Sequence, residues 1–171
     1  MRIQVKVKHF LMLGLMVVLV GCGFHLRGSV AFPPEYKNVY IENSGITNSR
    51  DSVEFYIKRQ LRSQVNFVDT RLDADLVFTI SESFTSAATA SNRSGARRDY
   101  TTQLQANISV IDINGDGLLR NATFTKSRDF TVNEREPLAK TNAEEAINQE
   151  LAQAVSVDFI RRLTTVIKAR E

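Results

Sequence analysis

The clearest pattern in the chain is a strict alternation of apolar and polar residues between positions 102 and 110. Apolar side chains stand at 104, 106, 108 and 110, and the polar residues that alternate with them are Gln103, Gln105, Asn107 and Ser109. A period of two is typical of a β-strand with one buried and one open face. An Asn-Gly-Asp-Gly segment at 114–117 follows, and a second strand-like run extends from Leu118 to Val132. This part of the chain therefore predicts a β-hairpin.

A strand and a helix are predicted upstream of the hairpin. Residues 37–42 read as a short strand, and the helix after it has Asp51 as its expected N-cap, with Glu54 as the partner in a capping box. The runs 65–68 and 75–84 return as strand and together count as one β element. A strand–helix–strand unit of this length usually joins parallel strands.

The last predicted element is a long amphipathic helix. Thr141 or Asn142 is its expected N-cap. Its apolar residues recur every four positions, at Ile147, Leu151, Val155, Phe159, Leu163 and Ile167. Such a stripe indicates a helix that lies on a sheet.

The order strand, helix, three strands, helix predicts an α+β two-layer sandwich. Its four-stranded mixed sheet (β-α-β-β-β-α) would have both helices packed on one face. The other face would carry short or amide side chains with hardly a charge, among them Gln103, Gln105, Asn107, Thr123 and Thr125. A solvated face more often carries lysine and glutamate. These five residues are therefore candidates for a partner interface, although an ordinary polar sheet face would show the same pattern.

The N-terminus has the order of an export signal that ends at a single cysteine. Arg2, Lys6 and Lys8 precede an apolar stretch at 10–20, and Gly21 stands directly before Cys22. That stretch of about eleven residues is too short to cross a bilayer, which needs about 20. With no second cysteine, a disulfide within the chain is excluded. Cys22 is thus the expected lipid attachment site; the alternative is a free or buried cysteine behind an ordinary cleaved signal.

Processing at Cys22 changes the charge of the protein. The full chain has 22 basic and 19 acidic residues, and residues 1–21 contain three of the basic residues and no acidic one. The mature chain is therefore formally neutral, and its composition does not favour nucleic-acid binding. We expect a signal peptide at 1–21, a lipidated tether at 22–36 and one domain at 37–171. Gly23 stands where a signal for retention in the inner membrane usually has an aspartate. We therefore expect the protein in the outer membrane, on the periplasmic side.

Several short motifs resemble the LptE family of lipopolysaccharide-assembly lipoproteins. The mature N-terminus reads Cys-Gly-Phe-His-Leu-Arg-Gly at 22–28 and is followed by a proline, and the element order agrees along the rest of the chain. Arg93-Ser94-Gly95 with Tyr100, and Leu138-Ala139-Lys140 before the last helix, add to the similarity. The resemblance implies a plug inside the lumen of the outer-membrane barrel protein LptD. It also implies a role in assembling LptD and in delivering lipopolysaccharide to the outer leaflet.

The resemblance also implies a basic lipopolysaccharide-binding site. In that family, basic residues at positions matching Arg93 and Lys140 are associated with lipopolysaccharide binding. Arg97 and Arg98 are neighbours in the predicted small-residue loop 86–98. Guanidinium groups suit lipid phosphates because each can donate two parallel hydrogen bonds. The competing interpretation is that an exposed loop carries charge for solubility.

Other chemistries find little support in the residues. Residues 112–117 copy the first half of a calcium-binding loop, but Thr123 stands where the closing glutamate belongs, which favours a hairpin turn. His25 is the only histidine of the mature chain, so a histidine- or cysteine-based metal site is not expected, and no cofactor is implied. We expect a non-enzyme. The alternatives are a periplasmic scaffold lipoprotein that bridges envelope proteins without touching lipopolysaccharide, and, less favoured, a lipid-anchored hydrolase.

Overall fold

The computed structural model describes residues 32–43, 51–91, 97–133, 135–136 and 138–170. Within these ranges the chain forms five strands and two α-helices. The strands are β1 (Asn38–Asn43), β2 (Asn66–Phe67), β3 (Leu76–Ser91), β4 (Arg97–Asp112) and β5 (Gly117–Asn133). The helices are α1 (Val53–Leu61) and α2 (Ala139–Lys168), and a short 3-10 turn at Arg71–Asp73 separates β2 from β3.

The sheet is mixed, with the strand order β2-β1-β3-β4-β5. Strand β1 runs parallel to both β2 and β3, and β3, β4 and β5 are antiparallel. The α+β class and the parallel strand–helix–strand unit are confirmed, but the predicted number of four strands is wrong. The region 65–84 splits because β2 pairs with one edge of β1 and β3 with the other. Asp75 holds this arrangement, since its Oδ2 accepts the backbone N–H groups of Lys37 and Asn38 at 2.8 Å each.

Helix α1 begins one residue later than predicted. Ser52, and not Asp51, has the extended backbone of an N-cap, and its Oγ accepts the N–H of Phe55 at 3.1 Å. Both residue types are good N-caps, so the sequence alone does not distinguish the two positions. Glu54 forms an ion pair with Lys58 at 2.7 Å, one helical turn further on.

Strands β3 and β4 are much longer than the alternation predicted. The segment 86–98 was expected to be a loop, but residues 86–91 belong to β3, and Arg97 and Arg98 begin β4. Ala87 pairs with Thr101, and Ala88 pairs with Tyr100. Small residues have low intrinsic strand propensity, and the cross-strand ladder overrides it here. Five residues, 92–96, separate the two strands and lie outside the described residues.

Helix α2 starts earlier than predicted, because its N-cap position is Leu138 and not Thr141 or Asn142. Leu138 precedes the helix with a positive φ of 67° and no side-chain cap, and its carbonyl accepts the N–H of Asn142 at 2.9 Å. The apolar stripe is confirmed, because all six predicted residues (Ile147, Leu151, Val155, Phe159, Leu163, Ile167) are buried.

The core lies between the sheet and both helices. Apolar residues of α1 and α2 form one cluster with the even-numbered residues Leu104 to Val110 of β4, whereas the odd-numbered residues of β4 stay partly or fully exposed. Both helices therefore cover the same face of the sheet. A hydrogen bond of 2.6 Å from Gln60 Nε2 to Ser156 Oγ ties α1 to α2. Among the described helices, none is both long and apolar enough to cross a bilayer.

Candidate functional site

The face of the sheet opposite the helices, which we call the open face, is polar from Thr79 onward along β3 and on the facing parts of β4 and β5. An apolar row of Tyr40, Val77 and Ile111 precedes this polar part. Its rows are set by the strand register. Gln105 of β4 lies between Ser83 of β3 and Thr125 of β5, and the next row places Asn107 between Ser81 and Thr123. Gln103 is likewise flanked by Thr85 and Ser127. All five residues predicted to contact a partner are thus brought together on two adjacent strands, β4 and β5, with polar residues of β3 beside them.

The open face retains hydrogen-bonding capacity. The Thr123 hydroxyl donates to Asn107 Oδ1 at 2.8 Å, and the Asn121 N–H donates to Ser109 Oγ at 3.0 Å. Within the part of the chain that the structure describes, the side-chain amides of Gln103 and Gln105 make no hydrogen bond to another protein group. Each amide can donate and accept, so the centre of this face can bind another polar surface directly.

The open face is acidic at the end where β4 begins, a feature that was not predicted from the sequence. The Thr101 hydroxyl donates to Asp129 Oδ1, and the Thr131 hydroxyl donates to Asp99 Oδ1, each at 2.6 Å. These residues line an open depression of about 450 Å³ together with Thr89 and Phe130. The signal was present, because the alternation from Gln103 continues back through Thr101 to Asp99. Two carboxylates disfavour phosphate groups here, so an anionic ligand would have to bind beyond the strand ends.

Lys140 lies close to the start of β4, which carries Arg97 and Arg98, and we call the region of these three basic residues the basic end. The Lys140 Nζ is 4.9 Å from the centre of the Tyr100 ring and 3.4 Å from Glu144 Oε1. Tyr100 in turn stacks on Phe130 with ring centres 5.3 Å apart. Contact with an aromatic face and a carboxylate fixes the ammonium group, while its side chain stays 47% exposed. The group can therefore still meet an anion from solvent.

The structure separates Arg97 from Arg98. Successive strand residues point to opposite faces, so Arg97 belongs to the open face, and Arg98 lies on the helix side with Tyr100. Arg98 is the more sheltered of the two and is brought to the same side as Lys140. Arg93 and Cys22, the residue predicted to carry the lipid, lie outside the described residues.

The segment 112–117 forms a tight turn that uses its own polar groups. Asp112 Oδ1 accepts the N–H groups of Asn114 at 2.9 Å and Asp116 at 2.8 Å. Gly115 has a φ of 84°, a conformation that glycine adopts without strain. These contacts explain the Asp-x-Asn-x-Asp-Gly spacing as turn chemistry.

Glu82 is a partly buried carboxylate that sequence reasoning did not single out. It stands on the helix side of β3, and its Oε2 accepts the N–H of Val53 at the start of α1 at 2.8 Å. Burial raises the pKa of Glu82; the Val53 hydrogen bond lowers this pKa and the nearby Glu54 charge raises it. Glu82 thus joins β3 to the N-terminus of α1 at a cost in desolvation.

We expect Glu82→Gln to become more stable relative to the parent protein as pH rises from 4 to 7. A carboxyl whose pKa is higher in the folded state binds more protons when folded, so ionisation above pH 4.5 destabilises the parent. Glutamine keeps an acceptor for Val53 and does not titrate. Urea denaturation at both pH values measures the difference in the free energy of unfolding.

Glu82→Ala is the matched control. It leaves the Val53 N–H without its acceptor and should be less stable than Glu82→Gln by about 1–3 kcal/mol at both pH values. The difference between the two variants should therefore not change with pH. A parent protein that gains stability over Glu82→Gln with rising pH would contradict the prediction.

Comparison with known proteins gives the family of the chain. Residues 36–163 match the family model described as "LptE: Lipopolysaccharide-assembly". A relative in Photorhabdus laumondii, named LPS-assembly lipoprotein LptE, is 31% identical over 164 residues, which cover 94% of this chain and 87% of the relative. A protein of the same name in Pectobacterium atrosepticum is 28% identical over 165 residues, with the same coverage of both chains.

Solved structures share the fold at lower identity. Lipoprotein B from Nitrosomonas europaea, solved by NMR, is 18% identical, and the match has a TM-score of 0.65 over 86% of this chain and 94% of that one. The rare lipoprotein B from Shewanella oneidensis is 16% identical, with a TM-score of 0.57 over 78% of this chain and 98% of that one. The matched span covers every strand and most of the last helix of the domain. The chain therefore belongs to the LptE family of lipopolysaccharide-assembly lipoproteins.

Proposed function

We propose that the protein is an outer-membrane lipoprotein that sits as a plug in the lumen of the barrel protein LptD. In this role it aids the assembly of LptD and the insertion of lipopolysaccharide into the outer leaflet. Membership of the LptE family supports a role in lipopolysaccharide assembly. The observation that carries the plug proposal is the open face, where amide and hydroxyl side chains from three strands form a nearly uncharged surface.

A plug needs a face that matches the inner wall of a barrel. Strands of a membrane barrel alternate apolar and polar side chains, so the wall facing the lumen is polar. The open face offers donors and acceptors together at its centre, without lysine or arginine there that would need a specific counter-charge. Its neutrality therefore allows extensive contact at a small desolvation cost.

Co-purification from the outer membrane tests this function. A tagged chain extracted in mild detergent should bring down one much larger protein in equal amount, and the migration of that protein on a gel should change on heating. A chain recovered alone, or with soluble periplasmic proteins, would favour the alternative of a scaffold lipoprotein that bridges envelope proteins.

We also propose that the membrane anchor is a lipid on Cys22. We expect Cys22→Ala to remove labelling by a radioactive fatty acid completely, because the chain contains no other cysteine. Gly21→Ala, which keeps a small residue before the cysteine, should retain the label and serves as the control. A Cys22→Ala protein that is still labelled would exclude this anchor.

The basic end is proposed to contact the phosphates of lipopolysaccharide through Arg93 and Lys140, with Arg97 and Arg98 nearby. We expect Arg93→Glu combined with Lys140→Glu to weaken lipopolysaccharide binding by about tenfold or more, since a hydrogen bond to a charged group contributes about 1.5–3 kcal/mol. Recovery of the barrel partner should stay unchanged. Binding is measured by photo-crosslinking to labelled lipopolysaccharide.

A matched charge reversal checks that the effect belongs to the basic end. Arg62→Glu with Arg71→Glu changes the net charge equally, at two exposed positions near the opposite end of β3. This control should bind lipopolysaccharide as the parent protein does. Equal binding by both double variants would exclude a lipopolysaccharide contact at the basic end and favour the scaffold alternative.

A further inference from the structure

One edge of the sheet has no strand beside it over much of its length. β3 has 16 residues, but β1 pairs with it only from Leu76 to Ile80. From residue 81 onward, no strand within the described ranges pairs with that edge. Every second backbone unit there directs its N–H and C=O groups away from β4. Such a row of backbone donors and acceptors is a template for another strand.

The opposite edge of the sheet, on β5, carries features that prevent strand addition. Asn121 has a φ of 46°, and the ladder with β4 shifts register nearby. Lys126 forms an ion pair with Asp158 of α2 at 2.7 Å, and Arg128 forms one with Glu150. Irregular backbone and charged side chains are the usual means of protecting an exposed edge.

The β3 edge lacks these features between Ser83 and Ala88. The six residues are Ser, Phe, Thr, Ser, Ala and Ala, with no charge and no proline, and the first register shift with β4 comes only between Ala88 and Ala90. At its start the stretch is bounded by Glu82, whose carboxylate holds the N-terminus of α1. Six residues span about 20 Å, which is the length of a typical strand.

We propose that residues 83–88 of β3 accept an added β-strand from an extended segment of the barrel partner. This inference rests on the proposed plug function. The side chains of Ser83, Thr85 and Ala87 point to the open face, so the added strand would continue that face with small polar residues. On the other side it would place apolar residues next to Phe84, which is partly buried against the core. The partner segment therefore alternates small polar and apolar residues and lacks proline.

A second copy of the chain fits this edge less well. Edge-to-edge pairing of two copies along this stretch would place six strands side by side, β3, β4 and β5 of each copy, over a width of about 25 Å. Such a sheet would double the width of the open face, whereas a plug has to fit inside a closed wall. A single added strand widens the sheet by only about 5 Å.

Amide hydrogen exchange of the intact complex tests the proposal. Relative to the isolated lipoprotein, every second amide of residues 83–88 should exchange at least about 100-fold more slowly. Only alternate amides are affected, because only these face the edge. Amides of 123–129 on the β5 edge should exchange in the complex at the same rates as in the isolated lipoprotein. A complex in which 83–88 exchange as in the isolated chain would overturn the added strand alone, and failure to form any complex would overturn the plug function with it.

A single lysine on the edge gives an independent test. Ala88 is exposed and pairs with Tyr100 on the helix side, so Ala88→Lys leaves the open face neutral. It should reduce recovery of the partner by about tenfold or more, because a lysine on the edge hinders the added backbone hydrogen bonds. Thr165→Lys, exposed on α2, should have no effect. Undiminished recovery with Ala88→Lys, or concentration-dependent protection of 83–88 in the isolated chain from self-pairing, would contradict the proposal.

Discussion

Phe159→Ala is expected to lower the free energy of unfolding by about 3–5 kcal/mol. The ring is fully buried at the middle of α2. It meets Phe78 of β3 edge-to-face, with ring centres 5.3 Å apart, and Phe124 of β5 at 6.0 Å. One side chain thus connects the long helix to strands on both sides of β4. Since whole domains are stable by only about 5–15 kcal/mol, removing it takes away a large fraction of the total.

The effect can be measured by thermal and urea denaturation of the purified chain. The midpoint temperature should fall by about 10 °C for a domain of this size. Phe55→Ala is the matched control, because Phe55 lies on α1 with 37% of its surface exposed and should cost about 1 kcal/mol or less. Equal losses for the two variants would contradict the role assigned to Phe159.

The sequence was most informative where the burial of a residue follows from the repeat of apolar residues along its own helix or strand. The stripe from Ile147 to Ile167 predicted which side of α2 is buried, because a helix of 30 residues repeats its face many times. The alternation of β4 predicted the open face for the same reason. Features that depend on a partner far along the chain were missed. The run 65–68 was predicted to be strand, but its pairing with β1, which makes β2 a separate strand, was not predicted.

The basic end shows the same limit. Arg97 and Arg98 looked like one loop cluster in the sequence, but the ladder between β3 and β4 extends to Arg98 and turns the two side chains to opposite faces. The contact of Lys140 with Tyr100 joins residues that are 40 positions apart, so no local pattern could reveal it. Glu82 likewise reads as one polar residue within a strand until α1 is placed beside it.

The division of the sheet into two chemically different faces gives the domain its proposed function. The helix side is closed by α1 and α2 and supplies stability through apolar burial. The open face contributes little to the core, so its side chains are not constrained by packing and can be suited to binding a partner. Changes to the open face should therefore alter binding with little effect on folding, whereas changes such as Phe159→Ala should do the reverse.

Gln103→Lys combined with Thr125→Lys is expected to abolish recovery of the proposed barrel partner while the chain stays folded. The two residues are exposed or partly exposed on neighbouring strands, at the centre of the neutral surface. In a complex, two ammonium groups would be buried without counter-charges, at a cost of several kcal/mol each. This corresponds to a loss of at least about 100-fold in affinity. Co-purification in mild detergent measures the recovery, and circular dichroism checks the fold.

The matched control places the same two charges on the other side of the molecule. Gln153→Lys with Thr165→Lys alters two exposed positions of α2 and gives the same net charge. This variant should recover the partner as the parent chain does, because α2 covers the face opposite the proposed interface. If both double variants recover the partner fully, the open face is not the interface. If both lose it, net charge and not the location of the charges is responsible, and the open face again loses its assigned role.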